Sequence, residues 1–404
     1  MNKRFILLLF WFTVPIVLKA QDLSNTNFVE KNGIYKHSVL STHPFGVFFS
    51  RLNNNFKTHI SNETELSISL ECGNVWGPFV KTYIPNDDDI RDLVSQREWH
   101  QRQYILNEDT ISAKTFEIKT DGVIKGLRAN INFKVNKTQE VNIGIRTFML
   151  TKGKFPFTVL TSDKFIENFH NEVAGGEDPF DRAVFGLNQA EISYTDRNGK
   201  QLALKSGDIM ATGVESAYYW YPEFLINEKR TLHINIGGHL GTNLSKYNSS
   251  MDIGITSSGV KDFSIIKPND FSLGFGLGLL RKNIIDFKSD NLVLGTNDFI
   301  GNLESVIEYH FVSSGKTTHA FSANFYFQTS LNSKKEYEYI IPIRTADGHK
   351  SWGHGTTNLY KNNDYWTFMY TFSRKVATSF YLQQDFTVNN NPDIQTGINM
   401  RFRL

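Results

Sequence analysis

Residues Asp393-Ile394-Gln395-Thr396-Gly397-Ile398-Asn399-Met400-Arg401-Phe402-Arg403-Leu404 alternate almost without error. Ile394, Ile398, Met400, Phe402 and Leu404 fall on one parity, with Thr396 as the mild exception. Asp393, Gln395, Gly397, Asn399, Arg401 and Arg403 fall on the other. Successive side chains of a strand point to opposite faces, so this segment reads as a strand with one apolar and one polar side. The wall of a membrane-spanning barrel needs that pattern, with lipid outside and a polar lumen inside. A half-buried strand of a soluble sandwich looks the same locally. The choice between them rests on how far the pattern repeats.

It repeats up the chain. Trp366, Phe368, Tyr370 and Phe372 alternate with Thr367, Met369, Thr371 and Ser373, and a tight hairpin leads to a strand through Thr378, Phe380 and Leu382. Phe321, Ala323, Phe325 and Phe327 oppose Ser322, Asn324, Tyr326 and Gln328, while Leu303, Ile307 and Tyr309 oppose Glu304, Glu308 and His310. Phe271, Leu273, Phe275, Leu277 and Leu279 oppose Ser272, Gly274, Gly276 and Gly278. Similar runs begin near Leu232, Val141 and Leu127. Weaker candidates lie at 46–53, 64–72, 113–120, 188–196, 200–208, 211–221 and 249–258. The expected fold class is therefore all-β: a transmembrane antiparallel outer-membrane β-barrel of 12–16 strands, with an even number for closure.

The 33 Phe and 16 Tyr among 404 residues suit the aromatic girdles of such a wall. Beyond the N-terminus no apolar run reaches the ~18 residues of a membrane helix. A net charge of +2 offers no broad electrostatic attraction to nucleic acid. At the start, Lys3 and Arg4 precede an apolar stretch from Phe5 to Leu18, followed by Lys19 and Ala20, which is the layout of a signal peptide over 1–20 cut after Ala20. No cysteine follows it to carry a lipid anchor. The expected location is the bacterial outer membrane, with the barrel over 21–404. The lone Cys72 is in phase with Leu66, Ile68 and Leu70 and reads as a small apolar side chain on a buried or lipid-facing strand.

Loop lengths agree with this reading. The connections at 373–375 and 313–316 are short, as periplasmic turns are, whereas those at 281–301 and 332–364 are long, as extracellular loops are. Two further long connections lie near 84–112, with Asp87-Asp88-Asp89 and a polar helical run, and near 151–187, where Asp163 to Val173 forms a short amphipathic helix. Only about 25 residues precede the first strand candidate, so no plug domain is expected.

Two resemblances follow from these residues. The terminal strand is similar to that of outer-membrane barrels, which the barrel-assembly machinery reads, and this implies an assembly role for Ile398, Met400, Phe402 and Leu404. Leu404 stands where Phe is more usual. The segment Ser162-Asp163-Lys164-Phe165-Ile166-Glu167-Asn168-Phe169-His170, followed by Gly175-Gly176 and Ala190-Glu191-Ile192-Ser193-Tyr194, resembles an uncharacterised Gram-negative outer-membrane family known as a domain of unknown function. That resemblance implies a barrel and no assigned activity.

Motifs for chemistry are weak. His59-Ile60-Ser61-Asn62 and His349-Lys350-Ser351 place His and Ser two apart, as some outer-membrane lipid hydrolases do, but both sit in loop composition. Asp87, Asp88, Asp89 and Asp92 lack calcium-loop spacing. His37, His43, His170, His319 and His354 show no metal spacing, and His233 and His239 are too far apart to share an ion. No metal and no cofactor is expected. Gly274, Gly276 and Gly278 either make room in the lumen or let a neighbouring segment approach. The lumen-facing candidates are Arg128, Arg146, His233, His239, Glu304, Glu308, Asp385 and Arg401, with Arg403 beside them. Rings of charge set ion preference in pores, or opposite charges pair across a filled lumen. Three functions stand, in this order: a passive channel or small-solute transporter, whose solute the sequence leaves unknown; a structural or ligand- or partner-binding barrel with a closed lumen and working loops, where Trp352, His354 and Tyr360 offer contacts; and a lipid hydrolase. The expected partners are outer-membrane lipid and the assembly machinery.

Overall fold

The computed structural model describes residues 31–37, 40, 43–85, 87–105, 113–153, 160–174, 187, 189–266, 269–313, 317–333, 338–343, 359–384 and 394–404. In chain order the strands are β1 (Glu65–Pro85), β2 (Ala113–Asn136), β3 (Gln139–Thr151), β4 (Glu191–Thr195), β5 (Gln201–Lys205), β6 (Ile209–Trp220), β7 (Leu232–Leu244) and β8 (Ser249–Ile266). They continue with β9 (Asn269–Asp286), β10 (Phe299–Val312), β11 (Thr318–Gln328), β12 (Ile341–Ile343), β13 (Asn363–Ser373), β14 (Ala377–Gln384) and β15 (Ile394–Arg403). Twelve of them form a closed antiparallel barrel in the ring order β1-β2-β3-β6-β7-β8-β9-β10-β11-β13-β14-β15. The ring shuts where β1 pairs with β15, from Glu65↔Arg403 to Gly73↔Gln395. The count sits at the lower bound of the 12–16 expected. The candidates 113–120 and 127–135 are two parts of the single strand β2, and 188–196 and 200–208 become the hairpin β4–β5, which hangs on the upper part of β2 outside the ring.

The tight β2–β3 and β13–β14 turns lie at one end of the barrel with Leu404, called the turn end below, while the four-residue β7–β8 link lies at the other. The long connections after β1, β3, β9 and β11 lie at the other, the loop end. The alternation expected from loop lengths is present. Helix α1 (Asp88–Ser95) follows β1, and Asp87 caps it by accepting hydrogen bonds from the Asp89 and Ile90 amides. The acidic run is thus a helix start rather than an ion loop.

The outer wall is apolar. Ile143, Ile145, Ile255, Phe275, Leu277, Ile307, Phe321, Phe368, Phe380 and Met400 are all exposed on it. A patch of this extent is foreign to a water-soluble monomer and suits hydrocarbon. On the terminal strand, Met400 and Leu404 are exposed on this face, and Arg401 and Asn399 turn inward, as the alternation requires.

Candidate functional site: the occupied lumen

A ring of twelve strands is wider than the eight-stranded barrels that their own side chains fill. In this barrel the extra room holds the chain's own N-terminal segment. Residues 31–37 rise through the lumen, residues 43–49 turn over at the loop end, and residues 50–59 descend. The two limbs touch where the Ile34 amide donates to the Phe56 carbonyl at 2.9 Å. This corrects two expectations. Residues 46–53 are not a wall strand, and a plug does precede the barrel. The local reading failed because Phe45-Gly46-Val47-Phe48-Phe49 is as apolar as a strand, and periodicity alone does not say which surface buries it.

Charge explains why the segment lies there. Residues 31–60 carry Lys31, Lys36, Arg51 and Lys57 and no acidic residue. The inward faces of the wall supply the carboxylates. Lys31 pairs with Glu308 at 2.9 Å, Lys36 with Glu304, and Lys57 with Glu65 at 2.8 Å and Glu140 at 3.0 Å. Glu304 and Glu308 are fully buried, so each needs that cation and further donors. Glu304 also accepts from Asn54 Nδ2 at 2.8 Å and Asn324 Nδ2 at 2.6 Å, and Glu308 accepts from the Tyr35 amide at 3.0 Å.

The descending limb runs in extended form and borrows hydrogen bonds from the wall side chains. The Ser50 amide donates to Asp252 at 2.8 Å, the Arg51 amide to Glu215 at 3.2 Å, and the Asn55 amide to Ser258 at 3.0 Å. Asn235 Nδ2 and the Tyr219 hydroxyl donate to the carbonyls of Asn55 and Asn53. The inward glycines form its bed. A Cβ on Gly276 would lie 2.5 Å from the Asn54 side chain, and one on Gly274 would lie 2.9 Å from Ile34 and 3.0 Å from Phe56. Of the two roles open to that glycine series, close approach of a neighbouring segment is the one seen.

At the loop end the turn of the segment becomes part of a hydrophobic cap. Phe45 and Phe48 are buried with Phe116, Tyr194, Leu204 and Tyr247, and the Phe45 ring meets that of Tyr194 edge-on at 4.9 Å. The β4–β5 hairpin supplies one side of this cap. His43 sits in it with Nδ1 accepting from the Phe45 amide at 3.0 Å. Burial, with Lys282 nearby, holds the His43 imidazole below its ordinary range. Burial does the same to His37, which stacks on Tyr381 at 3.8 Å.

The expected lumen residues divide accordingly. Arg128 spans Glu71 at 3.0 Å and Glu215 at 3.3 Å, and Arg146 reaches Glu215 at 2.9 Å, the Val47 carbonyl at 2.7 Å and Asn243. Arg401 donates to the Lys36 carbonyl at 3.4 Å. His239 Nε2 bonds Thr256 Oγ1 at 2.8 Å, while His233, nearer the turn end, faces Asp262 and His59. Asp385, Trp352, His354 and the His349–Ser351 pair lie outside the described residues. Of the two expectations for these charges, pairing across a filled lumen is the one observed. A cavity of about 110 Å³ remains beside Lys36, Asn54, Asn132 and Arg401. His59 and Ser61 form no dyad: the ring of His59 bonds Thr58, and Ser61 Oγ accepts from the Glu63 amide.

The Asp163-to-Phe169 motif forms helix α2 (Asp163–Phe169) and its approach lies against the outside of the wall. Cys72 Sγ, expected in apolar surroundings, is buried between Lys125 Nζ at 2.8 Å and Thr161 Oγ1 at 2.7 Å.

No family model matches the chain and no curated protein matches it, so the resemblance of Ser162–His170 rests on those residues alone. Among solved structures, an outer membrane channel from Pseudomonas putida F1 is similar at 7% identity and a TM-score of 0.38, over 87% of this chain and 97% of that one. A bacterial polysaccharide outer membrane secretin has 10% identity and a TM-score of 0.34, over 85% and 99%. The β domain of a Bordetella autotransporter has 6% identity and 0.34, over 84% and 98%. Likenesses this distant carry no argument about what the chain does.

Proposed function

We propose that this chain is an outer-membrane barrel that stands closed, its lumen held shut by its own N-terminal segment, and that it works through its loop end and wall as a ligand- or partner-binding protein rather than as an open channel. The observation that supports this is the match of three lysines on an acid-free segment, Lys31, Lys36 and Lys57, to buried carboxylates of the wall. Under this reading residues 1–20 are the export signal, the apolar wall faces lipid, and the turn end faces the periplasm. The terminal strand with Phe402 and Leu404 is what the assembly machinery engages. The polar lumen residues are fasteners of the plug and carry no traffic.

The test is single-channel conductance in a planar lipid bilayer. The folded, heat-modifiable wild-type protein gives no steps, and a variant lacking residues 31–60 gives stable ones. Steady conductance from the wild type would overturn the closed reading and restore the channel.

A further inference from the structure

The seated segment does not fill the lumen evenly. It leans on β6 to β10 through Glu215, Asp252, Ser258, Glu304 and Glu308. The cavity of about 110 Å³ is left between it and the adjoining strands β15, β1, β2 and β3, towards the turn end. Its lining is one-sided in charge. Lys36 and Lys57 of the segment and Arg401 of β15 border it, and among the described residues no acidic side chain does.

Two of these bases are already balanced, Lys36 by Glu304 and Lys57 by Glu65 and Glu140. Arg401 is not. Among the described residues no carboxylate pairs with its guanidinium, whose face lies over the Tyr35 ring at 6.0 Å. Its hydrogen bond to the Lys36 carbonyl is long, at 3.4 Å, so most of the planar fork of N–H donors is uncommitted. His37 borders the same cavity. It is 3% exposed, and neither ring nitrogen has a hydrogen-bond partner. A neutral imidazole always carries one N–H, so a buried donor is left without an acceptor. On β2, the Asn130 side chain makes no hydrogen bond among the described residues, and Asn132 uses only its oxygen, which accepts from Asn142 Nδ2 at 2.7 Å. Arg401, Asn130 and Asn132 are only half-buried, so a solute from the turn end can reach them.

We propose that this cavity binds a small oxyanion of phosphate size, with Arg401 as its charge partner and His37, Asn130 and Asn132 as further donors. The guanidinium fork matches a pair of oxygens on one group, which a halide does not offer. The volume is far below the ~300–1,000 Å³ of pockets for drug-sized ligands, so it suits a single anionic group rather than a chain. Segment and wall both border the cavity, so the bound anion bridges them and helps to keep the segment in place. The site rests on the segment being seated, and it is independent of whether the lumen conducts.

The experiment uses the full mature protein refolded in detergent in a chloride buffer and titrated with sodium phosphate at constant ionic strength, read by calorimetry and by the melting temperature. One phosphate per chain is expected, with a dissociation constant on the order of 1 mM and a rise in melting temperature that chloride does not give. Arg401→Gln weakens binding at least about tenfold. Arg401→Lys, which keeps the charge and loses the fork, weakens it less. Lys134→Gln, at an exposed base of the turn end, leaves it unchanged. Should Arg401→Gln fail to refold, Asn130→Leu decides the matter, because it gives up no side-chain hydrogen bond of the folded protein and fills the cavity. Wild-type protein that shows no phosphate-dependent heat or melting shift would overturn the site. So would binding left unchanged by Arg401→Gln or, where that variant does not refold, by Asn130→Leu. Either failure leaves the conductance test of the closed lumen untouched.

Discussion

Replacing Glu304 by glutamine removes the counter-charge of Lys36 at nearly constant volume. Glu304 is fully buried, and the Lys36 side chain is only 15% exposed, so solvent screens the pair little. Breaking a buried ion pair by removing one partner costs about 3–5 kcal/mol. Because Lys36 keeps some water and the Asn54 carbonyl at 3.3 Å, the lower end applies, about 3 kcal/mol. All of it falls on the seated segment, since a released Lys36 is hydrated in either protein. At about 1.4 kcal/mol per tenfold, the ratio of open to shut barrels rises roughly 100-fold. In planar bilayers the wild type stays silent, and Glu304→Gln shows brief openings of the same size as those of the variant lacking 31–60. Lys36→Met with Glu304→Met, which leaves no orphaned charge, returns most of the silence. If Glu304→Gln stays as quiet as wild type while the deletion conducts, the ion pair is not what seats the segment and the reasoning fails.

Three further outcomes follow from the same geometry. Gly276→Leu drives a side chain into Asn54, and overpacking of this kind costs about 1–3 kcal/mol, which lowers the temperature of the heat-modified gel shift; an unchanged shift would mean that Asn54 is not seated there. Acid loosens the plug. His37 and His43 titrate below their ordinary range when buried and near ~6.5 when released, so the released state binds more protons as pH falls. Their contribution is complete above that range and is lost below it, by up to about 1.4 kcal/mol per imidazole per pH unit, and His43→Gln should flatten the rise of conductance between pH 6.5 and 4.5. Cys72, buried under Thr161, stays unreactive to a maleimide until the barrel is denatured; rapid labelling of the folded protein would place the Thr161 stretch off the wall.

Most of the wall was legible because period-2 alternation is a direct imprint of a surface with two solvents. The strands near Phe271, Leu303, Phe321 and Trp366 stand where their alternation put them, and so do the short turns and long loops. What was not legible depends on which surface a segment meets. Residues 46–53 carry an apolar run that fits a wall strand and a lumen core equally well. Two signals did bear on them: the excess of bases over acids in 31–60, and the inward glycines of β9, which leave no side chain where another chain must pass. Each is visible in the sequence, but they acquire a common meaning only when the lumen brings them face to face. The roles of Arg128 and Arg146 were half legible. Their inward parity was evident, while their partners Glu71 and Glu215 come from strands far apart in sequence.

The seam between β1 and β15 sets an order of events. Nine residue pairs join the first wall strand to the last, from Glu65↔Arg403 to Gly73↔Gln395, and the seated segment is the chain immediately before Glu65. Once that seam is zipped, a strand pair with bulky Phe45 and Phe48 at its tip has to be fed up a finished tube. While the wall is still an open sheet, the segment can be laid against β7 to β10 from the side. Biogenesis is therefore easier if the passenger boards before the doors close: the last strand made is the one that seals the first residues in.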